Sequence, residues 1–346
     1  MTHRFPIKEI ARQAGLGTAT IDRALNNRAH VSAQTRQRVT AAIQELEAQE
    51  AQLAARGRRL FFDFVVEAPT RFSREVKAAA EAVLPHIGTA VCRPRFLLQD
   101  KMPEAEVLKA LERIQKRGSH GLCLKARDTE KIRAAVNRLV AAGIPVITLV
   151  TDLPTTDRRA YVGLDNAGAG RTAAYLIYKT LGSQRGQVLA SRSHGAFLGE
   201  EEREQAFLQA LRSYCPQLTV LTTEGGGGLG FETSRMLERT LDHSAAIRAV
   251  YSMGGGNRAI LQTLAERGQR PDVYVAHDLD QENRALLQAG QLDYVLHHDL
   301  QHDIAGAFHQ FLAHHRLTTD LDNSRASTVQ VLTPANIPMR PPLSRP

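Results

Sequence analysis

From Phe61 onward short apolar runs alternate with amphipathic ones, and this alternation limits the possible folds more than any other feature. The runs "FFDFVVE", "RPRFLLQ", "HGLCLKA", "PVITLVT" and "AYVGLD" have strand length. Helical periodicity fills the gaps at about 74–84, 104–117, 129–142 and 168–181. A second series follows: "GQVLASR", "LTVLTT", "AIRAVYSM", "DVYVAHD" and "DYVLHHD", again with helices between. Strands that are apolar throughout and separated by helices predict parallel sheets covered on both faces, joined by right-handed crossovers. Two series predict an α/β chain with two doubly wound lobes, whose ligands bind beyond the strand C-termini.

The first sixty residues follow a different pattern. Ten Lys/Arg face five Asp/Glu there, so +5 of the chain's formal +8 sits in about a sixth of its 346 residues. A basic head on a nearly balanced body points to a polyanionic partner. Pro6 suits the start of a helix, and Ile7, Ile10, Ala11 and Ala14 form one helical face that Gly15 ends. A second short helix turns Ile21, Ala24 and Leu25 inward and stops at Asn26-Asn27. Ser32 caps a third helix with Val39, Ile43 and Leu46 as its inner stripe. Three helices with a tight turn between the first two form either a helix-turn-helix reading head or a plain helical cap. As a reading head, the second helix would present Thr18, Ala19, Thr20, Asp22 and Arg23 to a major groove. Arg23 can reach a guanine edge, while Asn26, His30, Ser32 and Thr35 suit phosphate oxygens.

The stretch "IKEIARQAGLGTATIDRALNNRAHVSAQTRQRVTAAIQEL", Ile7 to Leu46, resembles without a gap the DNA-binding headpiece of the LacI family of transcriptional regulators. The resemblance implies base contacts from Thr18, Ala19 and Arg23. It implies phosphate contacts from Thr20, Asn26, His30 and Thr35. Gly17 and Asp22 stand where the family usually has Ser, so the operator of a relative does not transfer. After Leu46 the family carries a Pro-Asn pair and then a hinge helix that forms when two subunits meet on DNA. Here Glu50-Ala51 replaces that pair and Gly57 interrupts the segment. Leu53-Ala54 matches the family's leucine-alanine, which implies Leu53 as an apolar wedge in the minor groove.

Residues 61–335 resemble periplasmic sugar-binding proteins and the effector cores of LacI-type regulators, with "VGLDNAGAGRTAA" at the crossing between lobes. The implied organisation is a headpiece over 1–47, a hinge over 48–60, a core over 61–335 and a C-terminal tail over 336–346. The first lobe takes about 61–163 and 296–320, the second about 164–295 and 325–335. Phe72 lies in the loop after the first strand, where relatives place an aromatic against the ligand. Asp152 and Asp278 stand at strand ends, and Arg203 matches the arginine of a family R-x-x-G-F pattern in which Ala206 replaces the glycine. His298-Asp299 lies where relatives have a ligand-binding Gln-Asp; Lys125 and Asp128 follow the third strand. Asn257 follows "MGGG" at the opening of a helix that could meet a hydroxylated or anionic effector. Asp and Arg in such places can hold adjacent hydroxyls in a bidentate way.

Several patterns suggest enzymes. Gly168-x-Gly170-x-x-Ala173 has the letters of a dinucleotide fingerprint but lacks an acidic strand end about twenty residues on, so helix packing explains it better. "GGGG" at 225–228 and "MGGGNRA" at 253–259 lack a P-loop ending, and the first suits a flexible loop. "HHDLQHD" spans a strand end and a helix start, which would split its side chains and speaks against a metal site. No Ser/His/Asp or Cys/His set is apparent, and no cofactor is implied. The three cysteines build neither a disulfide framework nor a metal site. No signal peptide or membrane-length apolar run is present, so the chain is expected in the cytoplasm and away from membranes.

The expected protein is therefore a non-enzymatic, ligand-responsive repressor. It would bind double-stranded, pseudo-palindromic operator DNA as a homodimer, or as a tetramer. Its effector would be a sugar, polyol or derivative. A solute-binding protein with the same core, and an α/β enzyme with a helical cap, are the alternatives.

Overall fold

The computed structural model describes residues 4–26, 28, 31–55, 58–195, 197–241, 246–319 and 326–338. The N-terminal unit holds α1 (Ile7–Ala14), α2 (Thr18–Leu25) and α3 (Ala33–Ala55). Gly15 ends α1 in the left-handed region at φ 60°, where its N–H bonds the last turn. Ser32 Oγ accepts from Thr35 N at 3.1 Å and starts α3. Ile10, Ala11, Ala14, Ile21, Ala24, Val39 and Leu46 close a small core, with Phe5 joining them. Ile7, expected on the inner face, is 37% exposed, whereas Phe5 is buried.

α3 continues without a break to Ala55, into the segment expected as a hinge over 48–60. The reason is local. Residues 33–55 contain neither Pro nor Gly and are rich in Ala, Gln, Glu and Leu, which all favour helix.

The first lobe opens with β1 (Arg59–Glu67), α4 (Thr70–Val83) and β2 (Val91–Gln99). It continues through α5 (Glu104–Arg117), β3 (Gly121–Lys125), α6 (Glu130–Ala141), β4 (Val146–Leu149) and β5 (Ala160–Val162). The five strands are parallel in the order β2-β1-β3-β4-β5. The second lobe begins with α7 (Asn166–Leu181), β6 (Gly186–Ser191), α8 (Leu198–Tyr214) and β7 (Leu218–Thr223). Then come α9 (Gly230–Thr240), β8 (Ile247–Ser252), α10 (Asn257–Glu266), β9 (Val273–His277), α11 (Gln281–Gln288) and β10 (Tyr294–His297). α12 (Leu300–His314) returns to the first lobe, where Ile304, Phe308 and Phe311 pack with Phe62, Phe64 and Val76. β11 (Gln330–Leu332) lies antiparallel beside β10, closing a six-stranded sheet of order β11-β10-β9-β8-β6-β7 that is otherwise parallel.

Helices cover both faces of both sheets, as runs without polar alternation require. α5 and α6 bury Val107, Leu111, Ile132 and Leu139 on one face of the first sheet. In the second lobe α7 and α8 cover one face, and α9, α10 and α11 the other. At the crossing, Leu164 bridges Ser327 and Asp165 N donates to Ser327 O at 2.9 Å, so outgoing and returning segments are tied together. The helix over "NAGAG" starts at Asn166, earlier than its periodicity suggests, because Asp165 Oδ1 accepts from Gly168 N and caps it.

Candidate functional site

On the N-terminal unit, Thr18, Ala19 and Arg23 are exposed on α2, and Thr20 is half-buried. Arg23 Nε donates to Ala19 O at 3.2 Å, which holds the side chain along its own helix while its guanidinium stays at the surface. Asp22 has a partner: its carboxylate accepts from Asn26 Nδ2 at 2.9 Å and lies 3.5 Å from Arg28. Arg28 thus offsets the negative charge that would repel phosphates. Asn26, expected on a phosphate, spends its amide on Asp22, including the carbonyl at 3.0 Å. Thr35 Oγ1 shares a hydrogen bond with Ser32 Oγ at 2.8 Å. His30 and the side chain of Leu53 lie outside the described residues; the Leu53 backbone belongs to α3.

The C-terminal ends of β1, β3 and β4 face those of β6, β8 and β9 across a cavity of about 270 Å³. Of the residues expected at a ligand, Phe72, Lys125, Arg203 and Asp278 line it. Lys125 Nζ donates to Glu67 O at 2.8 Å and sits 3.8 Å from the Phe197 ring centroid, joining the lobes by a cation–π contact. Burial lowers the Lys125 amine to about 8, with Glu200 and Glu67 pulling the other way. Arg203, 3% exposed, donates to Asn166 Oδ1 at 2.8 Å and Met253 O at 3.0 Å. Asp278 adopts φ 64° and, across the cleft, Val150 φ 65°, so backbone strain is held in both walls.

Five other expected residues lie off the cavity wall, each for a physical reason. Asp128 is bound by Arg133 at 3.1 and 3.2 Å. Asp152 is clamped by Arg158 and accepts from Thr148 Oγ1 and Leu153 N. Asn257 is buried behind the wall, bonding Asn283 at 2.6 Å and Tyr274 at 3.0 Å. Asp299 caps α12 through His302 N. His298 is a supporting residue: its Nδ1 bonds Asp303, and its Nε2 stops 3.8 Å from Asp278 Oδ1. His302 is exposed and His298 buried, so the two histidines of "HHDLQHD" do not converge. Among the described residues no group of three His, Cys, Asp or Glu is placed to hold a metal ion.

The structure adds lining residues that the sequence pattern did not single out. Glu67 ends β1 and is clamped by the fork of Arg127. Glu200 accepts from both the N–H and the hydroxyl of Ser193. Asp280 accepts from Asn283 N at 2.8 Å and pairs with Arg71 at 2.7 Å; burial nonetheless pushes its carboxyl above the usual value. His277 shares a hydrogen bond of 2.8 Å with Tyr251, and burial holds its imidazole well below its ordinary value, hence neutral. Position at a strand end was a usable signal for Glu67 and His277. Nothing local distinguished Arg71 or Asp280. Two buried atoms on the wall, His277 Nδ1 and Asp278 Oδ1, have no hydrogen-bond partner among the described residues.

The depressed Lys125 pKa has a consequence for stability. The unfolded chain holds this proton up to about pH 10.5, the folded one only to about 8. Between these values the unfolded state binds more protons, so stability rises with pH. Denaturant titrations should show wild type gaining on Lys125→Met by about 3 kcal/mol at most across that window. A constant difference between the two would mean the amine is not desolvated.

A helix-turn-helix unit joined to two parallel α/β lobes with a cleft between strand ends defines a ligand-controlled DNA-binding architecture. The family model for bacterial regulatory proteins of the lacI family matches residues 6–47, and that for the periplasmic binding protein domain matches 76–311. The chain therefore belongs to the LacI-type regulators, a non-enzymatic family, and its core is a periplasmic binding protein domain.

Among solved structures it is similar to GanP, a glucose-galactose binding protein from Geobacillus stearothermophilus. That match has 17% identity, TM-score 0.72, and covers 82% of this chain and all of that one. It is also similar to a solute-binding protein from Burkholderia graminis in complex with D-arabinose (17%, TM-score 0.69, 80% and 96% covered). A putative LacI transcriptional regulator from Bacteroides fragilis matches at 14% identity and TM-score 0.69, with 81% and 98% covered. At these identities the likeness establishes the fold. No curated protein sequence matches significantly. Among the described residues no helix is long and apolar enough to cross a membrane.

Proposed function

We propose that this regulator is a cytoplasmic repressor that binds a pseudo-palindromic operator as a homodimer and responds to an uncharged sugar or polyol in its interlobe cleft. The observation that carries the effector assignment is the cleft's charge balance. Arg71, Lys101, Lys125, Arg127 and Arg203 line the cavity beside Glu67, Asp100, Glu200, Asp278 and Asp280, five cations against five carboxylates. Arg127 and Arg71 are each committed to a carboxylate. With cations and carboxylates equal in number the lining offers an anionic ligand no net attraction, whereas the hydroxyls of an uncharged one can donate to its carboxylates and accept from Lys125 and Arg203. Sugars named with structurally similar proteins, glucose-galactose and D-arabinose, support the same class.

Two-fold operators suit a two-fold protein, and Thr18, Ala19 and Arg23 of α2 are the proposed base contacts, with Thr20, Thr35 and His30 on phosphates. Leu53 is the proposed minor-groove wedge at the end of α3. Ligand closing the lobes changes how the headpieces are presented, so effector and DNA affinities shift each other reciprocally.

A thermal-shift screen of sugars, polyols and their phosphates tests the effector class. A ligand at a hundred times its Kd adds about 2.7 kcal/mol of stability. Stabilisation by sugar phosphates alone would overturn the uncharged class. For the DNA side, Arg23→Ala should cost about 1–3 kcal/mol and relax specificity at one base pair of the half-site. An equal loss on every operator variant would make Arg23 a phosphate contact instead.

A further inference from the structure

The two glycine runs, Gly225–Gly228 and Gly254–Gly256, have no counterpart in the charge argument above, yet both meet the same side chain. Arg71 projects from α4 of the first lobe into the second. Its Nε lies 2.7 Å from Asp280 Oδ2, and its Nη1 donates to Gly228 O at 2.7 Å. A Cβ on Gly255 would stand 1.7 Å from Arg71 Nη2, and one on Gly228 would stand 3.2 Å away. Both glycines also have positive φ, +88° and +66°, which other residues rarely adopt. The second-lobe wall is thus bare of side chains where the guanidinium enters, and Asp280, 3% exposed, supplies its counter-charge at the bottom.

Arg71 lines two cavities. One is the effector chamber of about 270 Å³; the other, about 310 Å³, lies toward Phe231, Arg258 and Glu282. The inner chamber falls just under the usual range for small-molecule sites, about 300–1,000 Å³, while the two spaces together lie well within it.

We propose that Arg71 is the specificity-determining residue of the cleft: a strap between the lobes that divides the space and restricts the effector to a single sugar ring. The inference rests on the sugar assignment above. It gives the glycine runs a purpose, since any side chain at Gly255 would displace the strap. Asp280 fixes the strap's inner end because it is itself held by Asn283 N as the cap of α11.

The test uses the full chain and two variants. Arg71→Ala removes the strap; Asp280→Asn removes its counter-charge while keeping a capping side chain. Spin labels at Gln115→Cys on α5 and Ala265→Cys on α10, both exposed, report the interlobe distance without ligand. A longer or broader distance distribution in both variants is expected; an unchanged distribution in both overturns the proposal. A thermal-shift panel of monosaccharides and disaccharides reports the partition. Arg71→Ala should keep a monosaccharide response and gain a shift with a disaccharide that leaves wild type unmoved. If it binds monosaccharides and still ignores every disaccharide, the size-limiting role is overturned. Silence of wild type and variants toward all sugars, with the interlobe distance widened in both, would sink the sugar assignment while upholding Arg71 as the strap between the lobes.

Discussion

Gly170→Val should destabilise the second lobe by about 3 kcal/mol, the upper end of what overpacking costs, and impair effector binding with it. Gly170 is the point where α7 and α8 touch. A Cβ there would lie 2.2 Å from the carbonyl oxygen of Arg203 and 3.0 Å from Phe207 N. Both neighbours are backbone, so no rotamer change relieves the clash and α8 must move. That helix carries Arg203 and Glu200, both on the effector wall, so any displacement reaches the ligand. Gly306→Ala on α12 is the control, because nothing beyond its chain neighbours and its own helix backbone lies within 4 Å of its added Cβ. There the change should stabilise by about 0.5–1 kcal/mol, from helix propensity alone. Chemical denaturation of both variants decides the matter. A Gly170→Val protein with an unshifted midpoint would mean the two helices separate at no cost.

Arg203→Ala should weaken effector binding by about ten- to a hundred-fold, as loss of charge-assisted hydrogen bonds of about 1.5–3 kcal/mol implies. Arg203 is braced on two sides, by Asn166 at the crossing and by the Met253 carbonyl at the end of β8. Asn166 Nδ2 in turn donates to the hydroxyl of Tyr161, which donates to Leu164 O at 2.8 Å. Lysine cannot reproduce this forked arrangement, so Arg203→Lys should restore little. Isothermal titration with the effector found in the screen measures the loss, and thermal melts separate it from unfolding. Unchanged affinity in a folded Arg203→Ala protein would leave the residue a structural brace only.

Some of this was open to inspection in the sequence. The headpiece match, the alternation after Phe61 and the apolar strand runs rest on short-range patterns, and the same patterns underlie the helices and sheets observed. Lys125 and Asp278 could be located because strand ends line the cleft in such folds; Phe72 and Arg203 came from the family resemblance, and Phe72 lies in the first turn of α4 rather than in a loop. Asp128, Asp152 and Asp299 follow the same rule of position yet are taken up by Arg133, Arg158 and the first turn of α12. A position rule cannot anticipate such partners. The apparent dinucleotide fingerprint resolves likewise: Gly168 admits the capping Asp165, and Gly170 admits α8.

The sequence by itself determined a LacI-type head, two α/β lobes and the general location of a ligand, because helix period, strand length and cap residues act over a few neighbours. Even the uninterrupted α3 was local, following from the absence of Pro and Gly between Ala33 and Ala55. Only the tertiary structure decided which charges in the cleft are spoken for. Arg71 with Asp280, Lys125 over Phe197 and Arg203 with Met253 are pairs between distant parts of the chain. They exist because folding brings residues far apart in the chain together around the cleft, where burial leaves each charge in need of a partner.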